Sequence, residues 1–275
     1  MRTDHSPDTS SGATIPKGEW PRWFVEPSHP LERELLARVL ASDTHLREVH
    51  FTVIMMQMNY LVFRGNYAEL LQLHKAFDQP LVFRELALQT DSGQDMSQAT
   101  IVAFTRLLHN FLASATMLVD VTRRWVRHHF VDSEFLHMYQ QEVSKRFKSN
   151  VQAQFLEDLR NFTLHRALPL SIPELRMEQV TENTLRSSLA IVLLKNHLLE
   201  WANWSELGRM QIDMAFEGEV DILSVCTQYF ENVTQFTQWL FWHVRELFND
   251  EVERINSAIM KLRTAGGASP RESLP

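Results

Sequence analysis

Three polar residues near the middle of the chain, Arg160, Asn161 and His165, have the types and spacing of a catalytic group. An imidazole can take up and release a proton near neutral pH, and a guanidinium carries a permanent charge and donors that match phosphate oxygens. The amide of Asn161 could orient either of them. Together they could cleave an RNA phosphodiester without a metal, because His165 could remove a ribose 2′-hydroxyl proton while Arg160 stabilises charge on the phosphoryl oxygens.

The segment that holds this group is predicted to be a helix with one buried side. Its apolar residues recur at helical spacing and are Phe155, Leu156, Leu159, Phe162 and Leu164. Pro169 should end the helix, because proline lacks an N–H and disfavours helical geometry in the preceding residue. Asn161 and His165 would lie about 40° apart around the axis, but Arg160 and His165 about 140° apart. We therefore expect a groove between helices, in a dimer, to gather the group.

A purely structural interpretation of the same segment stays open. Arg160 could form an ion pair with Glu157 or Asp158 on its own helix. His165 could cap the C-terminal end of the helix, where positive charge is favoured. A non-catalytic binding or dimerisation role is a third interpretation. A metal site built from Asp120, Glu157 and Asp158 is not indicated by their spacing.

The segment Arg160-Asn161-x-x-x-His165 resembles the R-N-x3-H form of the motif of HEPN domains (higher eukaryotes and prokaryotes nucleotide-binding). The phrases Leu107–Ser114 and Leu118–Asp120 on a long preceding helix add to the resemblance, which covers residues 95–170. It implies an all-helical bundle and a homodimer whose composite cleft cleaves RNA without a metal, with Arg160, Asn161 and His165 as the catalytic residues. It also implies a role in toxin–antitoxin systems or antiphage defence, with an antitoxin as a protein partner. Other relatives are non-catalytic partners or nucleotide-binding scaffolds.

The charge of the chain is uneven. The net charge of −7 argues against a surface that coats nucleic acid throughout. Residues 121–150, directly before the motif, nevertheless carry six Lys or Arg against three acidic residues. This local excess is consistent with a site that handles phosphate, although a solvated basic face explains it equally well.

Other kinds of chemistry have little support in the sequence. The single cysteine, Cys226, lies in an apolar run and is predicted to be a buried thiol rather than a nucleophile. There is no glycine-rich phosphate loop, no GxSxG and no HExxH, so we expect no cofactor and no metal ion. The N-terminus lacks the apolar segment of a signal peptide, and we expect no membrane contact and a cytoplasmic location.

The domain organisation is predicted to be simple. Eight glycines in 275 residues favour long helices over a turn-rich sandwich or barrel. We predict a mainly α-helical bundle forming one domain over residues 29–264, between a mobile N-terminal tail (1–28) and a C-terminal tail (265–275). No repeat or linker divides this domain.

Several elements can be placed along the chain. Residues 98–130 are predicted to form a long core helix with Asp95 or Ser97 as its N-cap, after a loop over residues 90–95. A small β-hairpin is predicted after the motif helix, over Leu175–Val180 and Leu185–Leu194. Further predictions are helices capped by Ser133 and by Ser205, a strand or helix over residues 51–56, and one long C-terminal helical element over residues 219–263. The aromatic stripe of that last element indicates a core or a dimer contact.

Overall fold

The computed structural model describes residues 24, 26–77, 91–166, 169, 171–181, 184–215 and 217–266. Within these residues the chain is mainly α-helical, as predicted, and carries one small antiparallel sheet. Most of the two predicted tails, residues 1–23, 25 and 267–275, lies outside the described residues.

The helices account for most of the described chain. In order they are α1 (Pro30–Ser42), α2 (Thr44–Phe77), α3 (Asp91–His129), α4 (Glu134–Val143), α5 (Val151–His165), α6 (Lys195–Leu199), α7 (Glu206–Asp213), α8 (Ile222–Leu247) and α9 (Asn249–Gly266). A π-helical turn over Ser144–Lys148 continues α4. Residues 51–56, which the apolar pattern left open, are helical and belong to α2.

Short polar side chains fix several helix starts. Ser133 accepts a hydrogen bond from the N–H of Leu136, and Ser205 accepts one from the N–H of Gly208, so both predicted N-caps are confirmed. The prediction for α3 was wrong at its start. The helix begins at Asp91, so Asp95 and Ser97 lie inside it. Gly93 lowers helix stability by only about 1 kcal/mol, which the packing of a long apolar face can outweigh.

The sheet has the strand order β1-β2-β3. The predicted hairpin is confirmed and is longer than expected, with β1 (Ser171–Thr181) antiparallel to β2 (Thr184–Leu194). Pro173 is compatible with β1 because that strand lies at the sheet edge, where a missing N–H is tolerated. The third strand, β3 (Glu219–Asp221), pairs with the end of β2. It was not predicted, because three residues are too few to show an alternating pattern.

The described residues form two compact units. Unit 1 comprises those within Met1–Phe51 and Gln235–Pro275, and unit 2 comprises those within Thr52–Thr234. Both boundaries fall inside helices, α2 and α8, which explains why no linker marks them in the sequence.

Unit 1 is built on α1, α9 and the ends of α2 and α8. Leu46, Ile255 and Ile259 form its buried cluster, with Leu36, Val39 and Leu40 of α1 packed against it. A bidentate ion pair joins α1 to α9, with Arg263 Nε 2.9 Å from Glu32 Oε1 and Arg263 Nη2 3.0 Å from Glu32 Oε2. The N–H of Ser28 also donates to Glu32, so the entry to α1 is tied to the end of α9.

Unit 2 has an aromatic core. Phe63 of α2 stacks on Phe111 of α3 with ring centroids 5.1 Å apart, and Tyr67 stacks on Phe230 of α8 at 4.0 Å. Tyr229 meets Phe111 edge-on. These aromatic residues of α8 therefore pack within the core of unit 2.

The predicted C-terminal element is three elements instead of one. β3 precedes α8, and a break at Phe248 separates α8 from α9. Asn249 begins α9, and Asp250 and Glu251 lie in its first turn, where the helix dipole favours negative charge. This start signal inside a continuous apolar pattern explains the break.

Candidate active site on helix α5

Helix α5 has a well-defined beginning and end. Its N-cap is Asn150, whose side chain accepts a hydrogen bond from the N–H of Ala153 at 2.8 Å. Its last residue is His165, and the N–H of Arg166 still donates to the carbonyl of Phe162 at 2.9 Å. His165 therefore lies in the final turn, as predicted, four residues before Pro169.

One side of α5 is packed. Its buried residues are Ala153, Phe155, Leu156, Asp158, Leu159 and Phe162. Phe155 and Phe162 stack on Trp204 with centroid distances of 5.5 and 5.9 Å, and Trp201 meets Phe162 edge-on at 5.8 Å. This packing against the segment between α6 and α7 fixes the rotation of α5 about its axis.

A buried carboxylate adds a polar link to the same side. Asp158 Oδ2 accepts hydrogen bonds from the N–H of Ser205 at 2.8 Å and from its hydroxyl at 2.6 Å. The Ser205 hydroxyl oxygen in turn accepts from the N–H of Gly208 at 3.0 Å. The negative charge thus lies at the N-terminus of α7, where the helix dipole stabilises it. Asp158 was considered as a partner of Arg160, but it is linked to Ser205, 47 residues away, which the sequence did not indicate.

The other side of α5 faces solvent and carries the predicted group. Arg160 and Asn161 are half-buried, and His165 is exposed. An ideal helix places His165 about 6 Å along the axis from Asn161 and about 7.5 Å from Arg160. Asn161 lies between the other two around the helix, so the three form one face about 140° wide. Leu164 was predicted to lie on the buried side, and this was wrong: it is 51% exposed, because two residues after Phe162 place it about 200° further around the axis, on this face.

The ion pair that Arg160 could form with Glu157 or Asp158 is not found among the described residues. Glu157 instead accepts a hydrogen bond from the side chain of Gln154 at 3.3 Å, and Asp158 is held by Ser205. Within the part of the chain that the structure describes, the side chains of Arg160, Asn161 and His165 make no hydrogen bond or ion pair. Their donors and acceptors are therefore available to a molecule from outside.

Arg166 adds a second guanidinium beside His165. Its Nη2 lies 3.4 Å from Glu200 Oε2, and both side chains are about half exposed. An exposed pair of this kind contributes little to stability, so Arg166 can exchange Glu200 for a phosphate at small cost. Arg166 was not among the predicted site residues, although its position next to His165 was a usable signal.

The basic residues before the motif lie on elements that contact α5. Helix α3 and the π-helical turn both pack on α5. The end of α3 carries four exposed basic residues, Arg123, Arg124, Arg127 and His128. Asp120 Oδ1 lies 3.7 Å from Arg123 Nη1. In the turn, Lys145 and Lys148 are exposed, whereas Arg146 pairs with Glu142 at 2.6 Å. Most of the local positive charge is therefore on the surface of unit 2.

Two other predicted features have structural roles. Asp120 lies beside Arg123 and Asp158 is held by Ser205, and among the described residues Asp120, Glu157 and Asp158 do not form a group of close ligand atoms. Cys226 is fully buried, and burial raises the pKa of its thiol well above the usual value, which confirms an unreactive core cysteine.

Residues 98–129 of α3 are long and apolar enough to cross a membrane by length and composition. Of the most apolar 18-residue stretch of this helix, 44% is buried within the protein. Its inner residues include Phe104, Leu108 and Phe111, which pack in the core of unit 2, and Arg106 and His109 face solvent. A core helix of a soluble protein gives the same signal.

The geometry therefore offers one exposed polar face on a helix whose other face is fixed. Comparison of the chain with protein-family models, with curated proteins and with solved structures gave no match.

Proposed function

We propose that the chain is a metal-independent endoribonuclease of HEPN type, with His165, Arg160 and Asn161 as its catalytic residues. One observation carries the proposal: these side chains share the solvent-facing side of α5 and have no side-chain partner among the described residues. A set of groups that could bind and cleave a phosphodiester is thus presented outward on a helix whose rotation is fixed.

The reaction follows from the three side chains. The imidazole of His165 removes the proton from a ribose 2′-hydroxyl, and the 2′-oxygen attacks the adjacent phosphorus. The bond from phosphorus to the 5′-oxygen breaks, which gives a 2′,3′-cyclic phosphate and a 5′-hydroxyl. The guanidinium of Arg160 stabilises the negative charge on the phosphoryl oxygens, and Asn161 orients the neighbouring groups.

A second copy of the chain completes the site. The departing 5′-oxygen needs a proton, and a homodimer would supply it from the second His165. Pairing would also bring Arg160 of one copy near His165 of the other, which a single helix separates by about 140°. The proposed partners are thus a second copy and RNA, with no cofactor, and the setting is a cytoplasmic defence or toxin–antitoxin system with an antitoxin.

The experiment incubates purified protein with labelled RNA in excess EDTA. Wild type should produce fragments with 2′,3′-cyclic phosphate ends, and His165→Ala and Arg160→Ala should each reduce the cleavage rate by at least about 100-fold. His137→Ala and Arg209→Ala are matched controls, because these exposed residues lie on α4 and α7. They should cleave RNA at the wild-type rate.

Two results would overturn the proposal. One is a wild-type protein that leaves RNA intact under all conditions tested. The other is cleavage that survives His165→Ala but disappears with EDTA, since this result would indicate a metal-dependent nuclease.

A non-catalytic helical interaction module is the second candidate. The observation that favours it is a row of exposed apolar residues on α2, which provides an association surface whether or not α5 is catalytic. Self-association of the chain without any RNA cleavage, unaffected by His165→Ala, would support this candidate over the nuclease.

A further inference from the structure

Helix α2 is apolar on two opposite sides within unit 2. Its inner side is buried and consists of Val53, Met56, Tyr60, Phe63, Tyr67 and Leu70. Its outer side is equally apolar but faces solvent, with Ile54 37%, Met55 40%, Met58 55%, Leu61 52% and Val62 47% exposed. A helix with apolar residues on both sides is normally covered on both sides, and among the described residues the outer side is left without a partner.

The outer residues, which we call the α2 face, are regularly spaced. They follow one another at three- and four-residue steps, the spacing with which one helix packs along another. The face extends about 12 Å along the axis from Ile54 to Val62. No charged residue occurs between residues 51 and 63, so nothing along this row opposes burial of the face.

We propose that the α2 face is where two copies of this chain associate, with their α2 helices antiparallel and the two-fold axis at Met58. In this register Ile54 of one copy meets Val62 of the other, and Met55 meets Leu61. Each of these contacts then occurs twice, as the two-fold symmetry of an isologous interface requires. Met58 meets its own copy on the axis, where a flexible thioether adapts to the available space.

The size of the face sets the strength of the association. From the exposed fractions of its five residues, the face offers roughly 400 Å² of apolar surface per copy, against about 800 Å² per partner in a typical stable complex. The dimer should therefore be weak and dependent on concentration. The aromatic residues Tyr229 and Phe230 of α8 do not provide a rival surface, since they pack within the core of unit 2.

The first experiment measures sedimentation velocity of the full chain over a wide range of concentrations. Wild type should shift from monomer to dimer as concentration rises. Met58→Glu should remain monomeric, because the two-fold axis would bring the two introduced carboxylates against each other in the interface. Met260→Glu is the matched control, since this methionine is 47% exposed on α9 and lies outside the face. It should dimerise as wild type does. Circular dichroism should show that all three proteins are folded.

The second experiment tests the register with cysteines. Met58→Cys should form a disulfide-linked dimer when treated with diamide, which takes up the two protons and two electrons that the two thiols release. Ile54→Cys should not form a disulfide-linked dimer. Antiparallel pairing places its two substituted positions about 12 Å apart along the axis, too far for a disulfide. Cys226 does not interfere, because it is fully buried.

Several outcomes would overturn this proposal. The proposal is wrong if wild type stays monomeric at every concentration. It is also wrong if Met58→Glu still forms the dimer. Efficient cross-linking of Ile54→Cys would indicate parallel helices. Binding of monomeric wild type to vesicles of phosphatidylcholine and phosphatidylglycerol, lost in Met58→Glu, would assign the face to a membrane surface instead.

Discussion

Gly208 should be the most sensitive glycine to alanine substitution among the three whose surroundings the structure describes. A methyl group built on Gly208 would overlap Asp158 Oδ2 and lie 3.1 Å from the Ser205 hydroxyl oxygen. Asp158 cannot move aside without breaking both hydrogen bonds from Ser205, at 2.8 and 2.6 Å. The substitution therefore breaks the link between α5 and α7.

The expected cost can be worked out from these contacts. Loss of two hydrogen bonds to a carboxylate costs about 1.5–3 kcal/mol each, and the better helix propensity of alanine offsets about 1 kcal/mol. Gly208→Ala should therefore lower the free energy of unfolding by about 2–5 kcal/mol. In a chain of this size that corresponds to a fall in Tm of roughly 4–20 °C. Urea and thermal unfolding followed by circular dichroism would measure both quantities.

The same substitution at Gly65 provides the control. Gly65 lies inside α2, and a methyl group there would meet nothing within 4 Å. Gly65→Ala should raise stability by up to about 1 kcal/mol, so the two alanine substitutions should have opposite signs.

A double-mutant cycle tests the cause of the Gly208 effect. In an Asp158→Ala background the overlapping oxygen is absent, so Gly208→Ala should no longer destabilise the protein. If Gly208→Ala were as stable as wild type, or lost the same stability in both backgrounds, the argument from the Asp158 contact would be refuted.

Two further predictions concern helix ends. Asn150→Ala should destabilise the protein by about 1 kcal/mol, since it removes the cap of the Ala153 N–H at the start of α5; urea unfolding measures the loss, and Asn150→Asp should retain most of the stability. The hydrogen bonds from Arg263 lower the pKa of Glu32 from 4.5 to about 2. A carboxyl whose pKa is lowered on folding stabilises the protein above its unfolded pKa, and this stabilisation is lost as the pH falls through its folded pKa. Glu32→Gln should therefore be less stable than wild type at pH 7, and the difference should shrink between pH 4.5 and pH 2. Urea midpoints of both proteins across that range measure it, and a constant difference would contradict the assignment.

Local features of the fold could be predicted because their causes are local. The caps Ser133 and Ser205 and the hairpin depend on residues within a few positions of one another, so the sequence contains the whole signal. The start of α3 was not predicted, since Gly93 and its polar neighbours favour a loop in the sequence although the helix begins at Asp91.

The candidate site shows the same division. The spacing of Arg160, Asn161 and His165 was enough to place them at the end of one helix and partly on one face. The packing of Asp158 could not be predicted, because its partner Ser205 is 47 residues away. In the sequence, a carboxylate two positions from an arginine looks like an ion-pair partner. The apolar spacing therefore predicted most of the buried side of α5, whereas the burial of Asp158 depends on a contact that no short sequence window contains.

The polar face of α5 and the apolar face of α2 make separable demands on one molecule. Met58→Glu leaves Arg160, Asn161 and His165 unchanged, and His165→Ala leaves the α2 face unchanged. If pairing through α2 is what gathers two copies of the motif, Met58→Glu should abolish both dimer formation and RNA cleavage, and a cross-linked Met58→Cys dimer should cleave RNA even when dilute. If cleavage survives in monomeric Met58→Glu, the catalytic cleft forms without the α2 face, and the reasoning that Arg160 and His165 need a second subunit across α2 is wrong.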